Sequence, residues 1–245
     1  LQFSFNCLEQ EMTSSKLDVK TLKKVLSRYS CGTSHNTLKR HLNVLINEAV
    51  SLGIECNPMT EINSKKAKAI LHKPIDDVAA ILEDIKSFNK HLHLCCLLTY
   101  CCLLRPHREV RELTWGDFSN DLSFITLSGF RNKSGRNRIV PVPGFIKPYL
   151  HKKGLDDNLF TIDHYSRNPD YFKTLWSRYK KQSKLIVQGQ TLYSFRHSGA
   201  IEIFKRTSSL SKLQKAMGHS SINVSLTYLR GLEIAELKEE DMPMV

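Results

Sequence analysis

The chain has 245 residues, enough for one large domain or two modest ones, and its 41% hydrophobic content is ample for ordinary cores. Lys and Arg number 36 against 24 Asp and Glu, and the resulting +12 is a field that draws in polyanions, nucleic acid first, although a merely well-solvated basic surface has the same composition. No uncharged apolar stretch reaches the roughly 18 residues of a membrane span, and the opening "LQFSFNCLEQ" lacks a basic segment followed by a cleavage site, so neither anchoring nor export is expected.

Two helical patterns come first, "KLDVKTLKKVLSRYS" and "TSHNTLKRHLNVLINEAVSLG", the second with Leu38, Leu42, Leu45, Ile46 and Ala49 on one face and Gly53 as its stop. Their opposite faces are rich in Lys and Arg, as a DNA-gripping module or a solvated face would be. The polar stretch that follows predicts a linker at residues 61–75, so the chain divides into a helical domain at 1–60 and a second domain at 76–230. The chain starts without Met, and a domain upstream is expected.

In the second domain "IDDVAAILEDIKSF" and "KHLHLCCLLTYCCLL" predict consecutive helices, and Pro106 opens a short one through "HREVRELTW". Four of the seven cysteines, Cys95, Cys96, Cys101 and Cys102, fall in that apolar run without zinc-finger or disulfide spacing, which predicts reduced, buried thiols in a cytoplasmic protein. His91 and Cys95 are four apart and could share a metal on one helix face, but their surroundings read as core. The period then changes to two in "LSFITLSG" and "NRIVPVP", an antiparallel hairpin around the basic turn "FRNKSGR". Helical patterns resume at "DYFKTLWSRYKKQSK", "TLYSFRHSGAIEIFKR" and "SLSKLQKAMG". The acidic end, residues 231–245, is either a solvated tail or a segment that docks on a neighbouring protomer.

Three segments carry candidate chemistry. Arg105 stands between an apolar helix and a Pro-initiated one in "LLRPHREVRELTW", where it could also simply cap carbonyls. In "YSFRHSGA", Tyr193 is three residues before Arg196 and so on the same helical face, with His197 beside it. In "GHSSINVSLTY", Tyr228 follows His219 by nine residues. Taken singly, a tyrosine in such a place is most often a packing residue.

Together these segments resemble the tyrosine site-specific recombinases, the phage integrase family, over residues 76–230. That family shows His-x-x-Arg, then Leu-Gly-His, then a tyrosine nine residues on, and here the series is Tyr193-Ser194-Phe195-Arg196, Met217-Gly218-His219, Tyr228. The family's catalytic lysine lies in a β-turn about eight residues before the proline of a Val-Pro pair, and Lys133 stands eight before Pro141 in "KSGRNRIVP". In texture the chain looks most like mobile-element integrases of Bacteroidetes-type bacteria. Two departures stand out. Tyr193 occupies the usual histidine position, whose work a phenol, or a neighbour such as His197, would have to perform if it is performed at all. The usual Arg-x-x-Glu is here Arg105-Pro106-His107-Arg108-Glu109, one residue longer, which makes Arg108 a rival for the first arginine.

The resemblance implies a mainly α fold (α+β): a helical core-binding domain, plus a mixed α-helical catalytic domain with a small antiparallel β-sheet, the two clamping double-stranded DNA. It also implies a homotetramer that exchanges strands through a Holliday junction, with no cofactor or metal. The expected catalytic set is Arg105, Lys133, Tyr193, Arg196, His219 and Tyr228. Guanidiniums suit the clamp because they are always charged and bond two phosphate oxygens through a planar fork. Lys133 would protonate the leaving alkoxide, or be no more than a phosphate contact. His219 would bond a phosphate oxygen or help take the proton of Tyr228, the nucleophile. Two other readings are a DNA-binding protein of recombinase ancestry that does not cleave, and a nicking-closing enzyme like a type IB topoisomerase.

Overall fold

The structure is a computed structural model that describes residues 1–12, 17–53, 56–67, 72–131, 135, 137–161 and 163–229. Lys133 and the 231–245 tail, both singled out in the sequence, lie outside the described residues. Contacts divide the chain into two units, Leu1–Ile70 and Leu71–Val245.

The first unit contains α1 (Gln2–Glu9), α2 (Val19–Ser27), α3 (Gly32–Ser51) and a 3-10 turn at Pro58–Glu61. Asp18 starts α2 by accepting from the Thr21 N–H at 2.7 Å, leaving Leu22, Val25 and Leu26 at the spacing that puts them on one face. That face meets Leu38, Leu42 and Ile46 of α3, with Cys7 and Leu8 from α1 closing the core. Leu45 and Ala49, expected on the same face, are only partly buried, at the rim of the stripe. Periodicity alone did not point to α1, which is short and poor in regular apolar spacing. Met59 and, beyond it, Ile62 belong to this core, so the stretch expected as a linker from residue 61 begins as part of the first unit.

In the second unit α4 (Val78–Phe88) and α5 (Lys90–Cys101) start at Asp77 and Asn89, whose side chains accept from the Ala80 and Leu92 N–H groups. α5 is buried nearly all round, which is why its sequence shows no polar face. The cysteines it carries are free thiols, and burial pushes Cys95, Cys96, Cys101 and Cys102 up from the usual thiol range, Cys101 to about 12. His91, its candidate metal partner for Cys95, pairs its Nδ1 with the Tyr171 hydroxyl at 2.8 Å instead.

β1 (Phe124–Leu127) and β2 (Arg138–Pro141) form the antiparallel hairpin, with Leu127 opposite Arg138 and Ile125 opposite Val140. Then come α6 (Tyr171–Gln182), α7 (Leu192–Thr207), α8 (Leu210–Met217) and α9 (Ile222–Leu226), the last running into a 3-10 turn at Thr227–Leu229. α7 begins with a capping box made by Thr191 and Ser194 and lies against α5, where Gly199 meets the Tyr100 carbonyl so closely that a Cβ would stand 2.2 Å from it. The segment before α4 is tied to α7, because Ser198 Oγ accepts from the Ile75 N–H at 2.7 Å and Gln190 donates to the Pro74 carbonyl. None of the described helices is long and apolar enough to cross a membrane.

Candidate active site

Two turns set the site. After α5 the buried Leu103 takes φ +52, a left-handed conformation that an L-residue adopts at a cost of about 1 kcal/mol, and this swings the chain into extended backbone at Arg105. The next five residues, Pro106–Val110, wind as a single π-type turn in which the Val110 N–H reaches the Arg105 carbonyl at 3.0 Å. The wider turn absorbs the extra residue of Arg105-Pro-His-Arg-Glu109, so Glu109 still meets Arg105. Its carboxylate accepts from the Arg105 backbone N–H at 2.9 Å and pairs with the Arg105 guanidinium.

That geometry separates the two rival arginines. Arg105, with 22% of its side chain exposed, lies in the electrostatic neighbourhood of Arg196 and Tyr193. Arg108 is 57% exposed and turns outward to Glu112 and the Phe130 carbonyl.

Arg196, on α7, is only 1% exposed. Its Nη2 donates to the Met217 carbonyl at 2.8 Å, while its Nε and Nη1 have no hydrogen-bond partner among the described residues. Burial, and then the charge of Arg105, bring its pKa down to about 10, so it is still a cation at neutral pH. Two unpaired cationic donors this deep in the fold are costly unless an anion meets them.

Arg138 lies outside the catalytic set expected from the sequence. Strand alternation puts it with Val140 on the inner face of β2, and it is 7% exposed. It donates through Nη1 to the Met217 carbonyl at 2.8 Å and through Nη2 to Glu109 at 2.9 Å. Glu109 itself is 3% exposed. Burial alone would raise its pKa, but the charges of Arg138 and Arg105 outweigh burial and hold it below the usual carboxylate value. The signal that could have found Arg138 is a charge on the apolar phase of an alternating strand.

Met217 ends α8, and Gly218 follows at φ +66, the left-handed cap that glycine favours. His219 is buried next to it, its Nδ1 3.0 Å from Ser225 Oγ at the end of α9. Burial, reinforced by Arg196, Arg105 and Arg138, drops the imidazole to about 4, which makes it neutral at physiological pH. The Tyr228 ring lies 5.5 Å from His219 and 5.5 Å from His197, and packs against the small apolar cluster of Leu103, Ala200, Leu213 and Met217. Tyr193 stacks on His72 at 5.2 Å and has His107 at 5.7 Å. Burial raises its phenol pKa, opposed by Arg105 and Arg196, so it remains a neutral hydroxyl. The structure thus brings Arg105, Tyr193, Arg196, His219 and Tyr228 together in the second unit. Among the described residues no three His, Cys, Asp or Glu side chains gather as a metal site.

The profile of the phage integrase family matches residues 68–233. The chain belongs to that family. A putative integrase of Pseudomonas phage Pf1 is 26% identical over 202 residues, covering 79% of this chain and 56% of that relative, so the chain spans little more than half the relative's length. Lambda integrase, solved as a dimer bound to a COC′ core site, superposes with a TM-score of 0.78 at 18% identity over 97% of this chain and 73% of that one. The Tn1549 transposon integrase, solved with a circular intermediate DNA, gives 0.69 at 19% identity over 93% of this chain and 87% of that one. At these identities the likeness is one of fold, and the mainly α architecture with its small antiparallel sheet is that of the integrase relatives.

Proposed function

We propose that this phage integrase family chain cuts and rejoins double-stranded DNA through a covalent 3′-phosphotyrosine on Tyr228. The observation that carries the reading is the buried Arg196, with two unpaired donors beside Arg105, His219 and Tyr228. Such a group of cationic donors beside a tyrosine suits a phosphodiester. The phenol oxygen attacks phosphorus, the P–O5′ bond breaks, and charge grows on the non-bridging oxygens, where Arg105 and Arg196 bond them. The Tyr228 proton leaves as the bond forms: neutral His219 accepts it when its Nδ1–H donates to Ser225, and in the other tautomer His219 donates to a phosphate oxygen while the phenol proton passes to water. Lys133 supplies the proton that the leaving 5′ oxygen needs. Tyr193, a neutral hydroxyl, contributes a hydrogen bond where relatives carry histidine. The retained phosphoester energy allows rejoining without ATP, and the guanidiniums fill the charge-stabilising role that metal ions have in other phosphoryl transferases. Four copies on DNA would exchange strands; lambda integrase has been solved as a tetramer bound to a Holliday junction, with a TM-score of 0.75 to this chain at 16% identity.

The test is incubation with a pool of duplexes whose randomised centre carries a single nick, in the presence of EDTA, followed by denaturing electrophoresis. A protein-DNA adduct at the 3′ side that Tyr228→Phe abolishes is expected, and sequencing the trapped DNA returns the target. Binding without an adduct identifies a non-cleaving protein. An adduct accompanied by relaxation of plasmid, but never by exchange between two sites, identifies a nicking-closing enzyme.

A further inference from the structure

The two clamp arginines come from different elements, yet one continuous set of hydrogen bonds joins them. It runs from the Arg105 guanidinium to Glu109, from Glu109 to Arg138 Nη2, from Arg138 Nη1 to the Met217 carbonyl, and from that carbonyl to Arg196 Nη2. We infer that Arg138 is a positioning residue, which locks Glu109 and the carboxyl end of α8 together so that Arg105 and Arg196 face a single phosphate. The inference rests on the strand-transfer reading and deepens it.

Several observations set Arg138 apart from an ordinary ion pair. It stands on the inner face of a hairpin whose neighbouring inward positions are Ile125, Leu127 and Val140, where an apolar side chain would pack at lower cost. Its fork spans two partners on two different elements, a geometry that a lysine ammonium cannot reproduce. A Cβ on Gly218 would stand 2.8 Å from Arg138 Cδ, so the glycine of the Gly-His pair leaves room for the passage of this side chain. The Met217 carbonyl is one of the acceptors that a helix end leaves without an intrahelical partner, and here two guanidiniums share it. The residue after the shared carbonyl's glycine is His219, so the same lock fixes the imidazole beside Tyr228.

The charged and titratable groups facing Glu109 are Arg105 from its own turn, Arg138 from β2, and Arg196 and the Tyr193 phenol from α7. Cys102, just after α5, and His219, after α8, interact with Arg138 as well. Of the cations, Arg138 does most to offset the burial of Glu109. Its removal therefore raises the Glu109 carboxyl pKa and also that of the His219 imidazole, so the acid limb of the cleavage rate moves to higher pH and the Glu109 titration separates the two contributions.

The test compares wild type, Arg138→Met and Arg138→Lys in the full chain, with three readouts. These are the rate of adduct formation on the nicked duplex recovered from the wild-type selection, the affinity for the same duplex, and the titration of Glu109 followed by 13C NMR in glutamate-labelled protein. The expected result for Arg138→Met is a loss of about 100-fold in cleavage rate with DNA affinity changed only a few-fold, since misplacement of a clamp by about 1 Å is enough for that. Its acid limb and Glu109 titration both shift upward, and Arg138→Lys recovers the titration but only part of the rate. Wild-type cleavage by Arg138→Met, or a rate loss matched by an equal loss of affinity with no shift in either titration, overturns the inference. The two failures are distinguishable. If wild type forms no adduct with any duplex, the strand-transfer reading falls, and an unchanged Glu109 titration in Arg138→Met independently removes the link between these two residues.

Discussion

At the scale of single residues, the nine-residue step from His219 to Tyr228 is legible because both ends are chemistry-bearing side chains that a sequence displays openly. What holds them is less visible. Gly218 shows the difference: in the sequence it is a helix stop, and in the structure it also clears the way for Arg138. Gly218→Ala should cost about 2 kcal/mol in urea unfolding, from the left-handed backbone and the crowding of a side chain pinned at both ends. Strand cleavage should fall further than DNA binding in the same variant; equal losses would mean that the glycine serves the fold alone. Arg138 escaped the sequence reading for a physical reason. The family resemblance draws attention to the turn of the hairpin, where Lys133 stands, whereas the side chain that reaches the site in the described structure comes from the strand that follows.

Elements were easier to read than their junctions. The hairpin, α4, α6 and α8 follow the periods seen in the sequence, because each buries one regular face, whereas α5 shows in the sequence only as an unbroken apolar run. The turn at Pro106–Val110 does not follow from periodicity, since its i to i+5 bond depends on the left-handed Leu103 before it and the carboxylate after it. The first unit's α1 and the Met59 and Ile62 contacts were missed for a similar reason: short segments join a core through a few side chains that carry no periodic signal. The crossing of α5 and α7 matters most for the site, because it sets Arg196 on one helix against the chain leaving the other. Gly199→Ala places a methyl into the Tyr100 carbonyl and the Leu103 side chain, which stands 2.8 Å from the added carbon. A loss of about 3 kcal/mol is expected. Gly144→Ala, where a Cβ would have open space, should leave the melting temperature nearly unchanged.

For the whole molecule, protonation of histidine sets an acid limit on stability. His72, His91, His93, His107, His197 and His219 all lie below the ordinary histidine value, with burial the first cause in each, and all six are in the second unit. A depressed folded pKa means that the unfolded chain takes up protons first. Stability is therefore lost as pH falls from about 6.5, and for His219 the loss continues to its folded value of about 4. Thermal melts should show the second unit losing stability between about pH 7 and about pH 5, with a shallower slope in His219→Gln. A flat profile, or an unchanged slope in that variant, would contradict this assignment of the protonating groups.

The π-type turn also bears on how such proteins diverge. A residue gained between a capping position and the carboxylate that bonds its backbone N–H would carry that carboxylate about 100° further round an α-helix, away from the N–H it caps. Local rewinding removes that penalty, as the Arg105 and Glu109 contact demonstrates. In this chain the pairing thus persists at a spacing one residue longer than the resembled pattern. Members of the family that have crossed this step are better recognised by which side chains meet than by how many residues separate them.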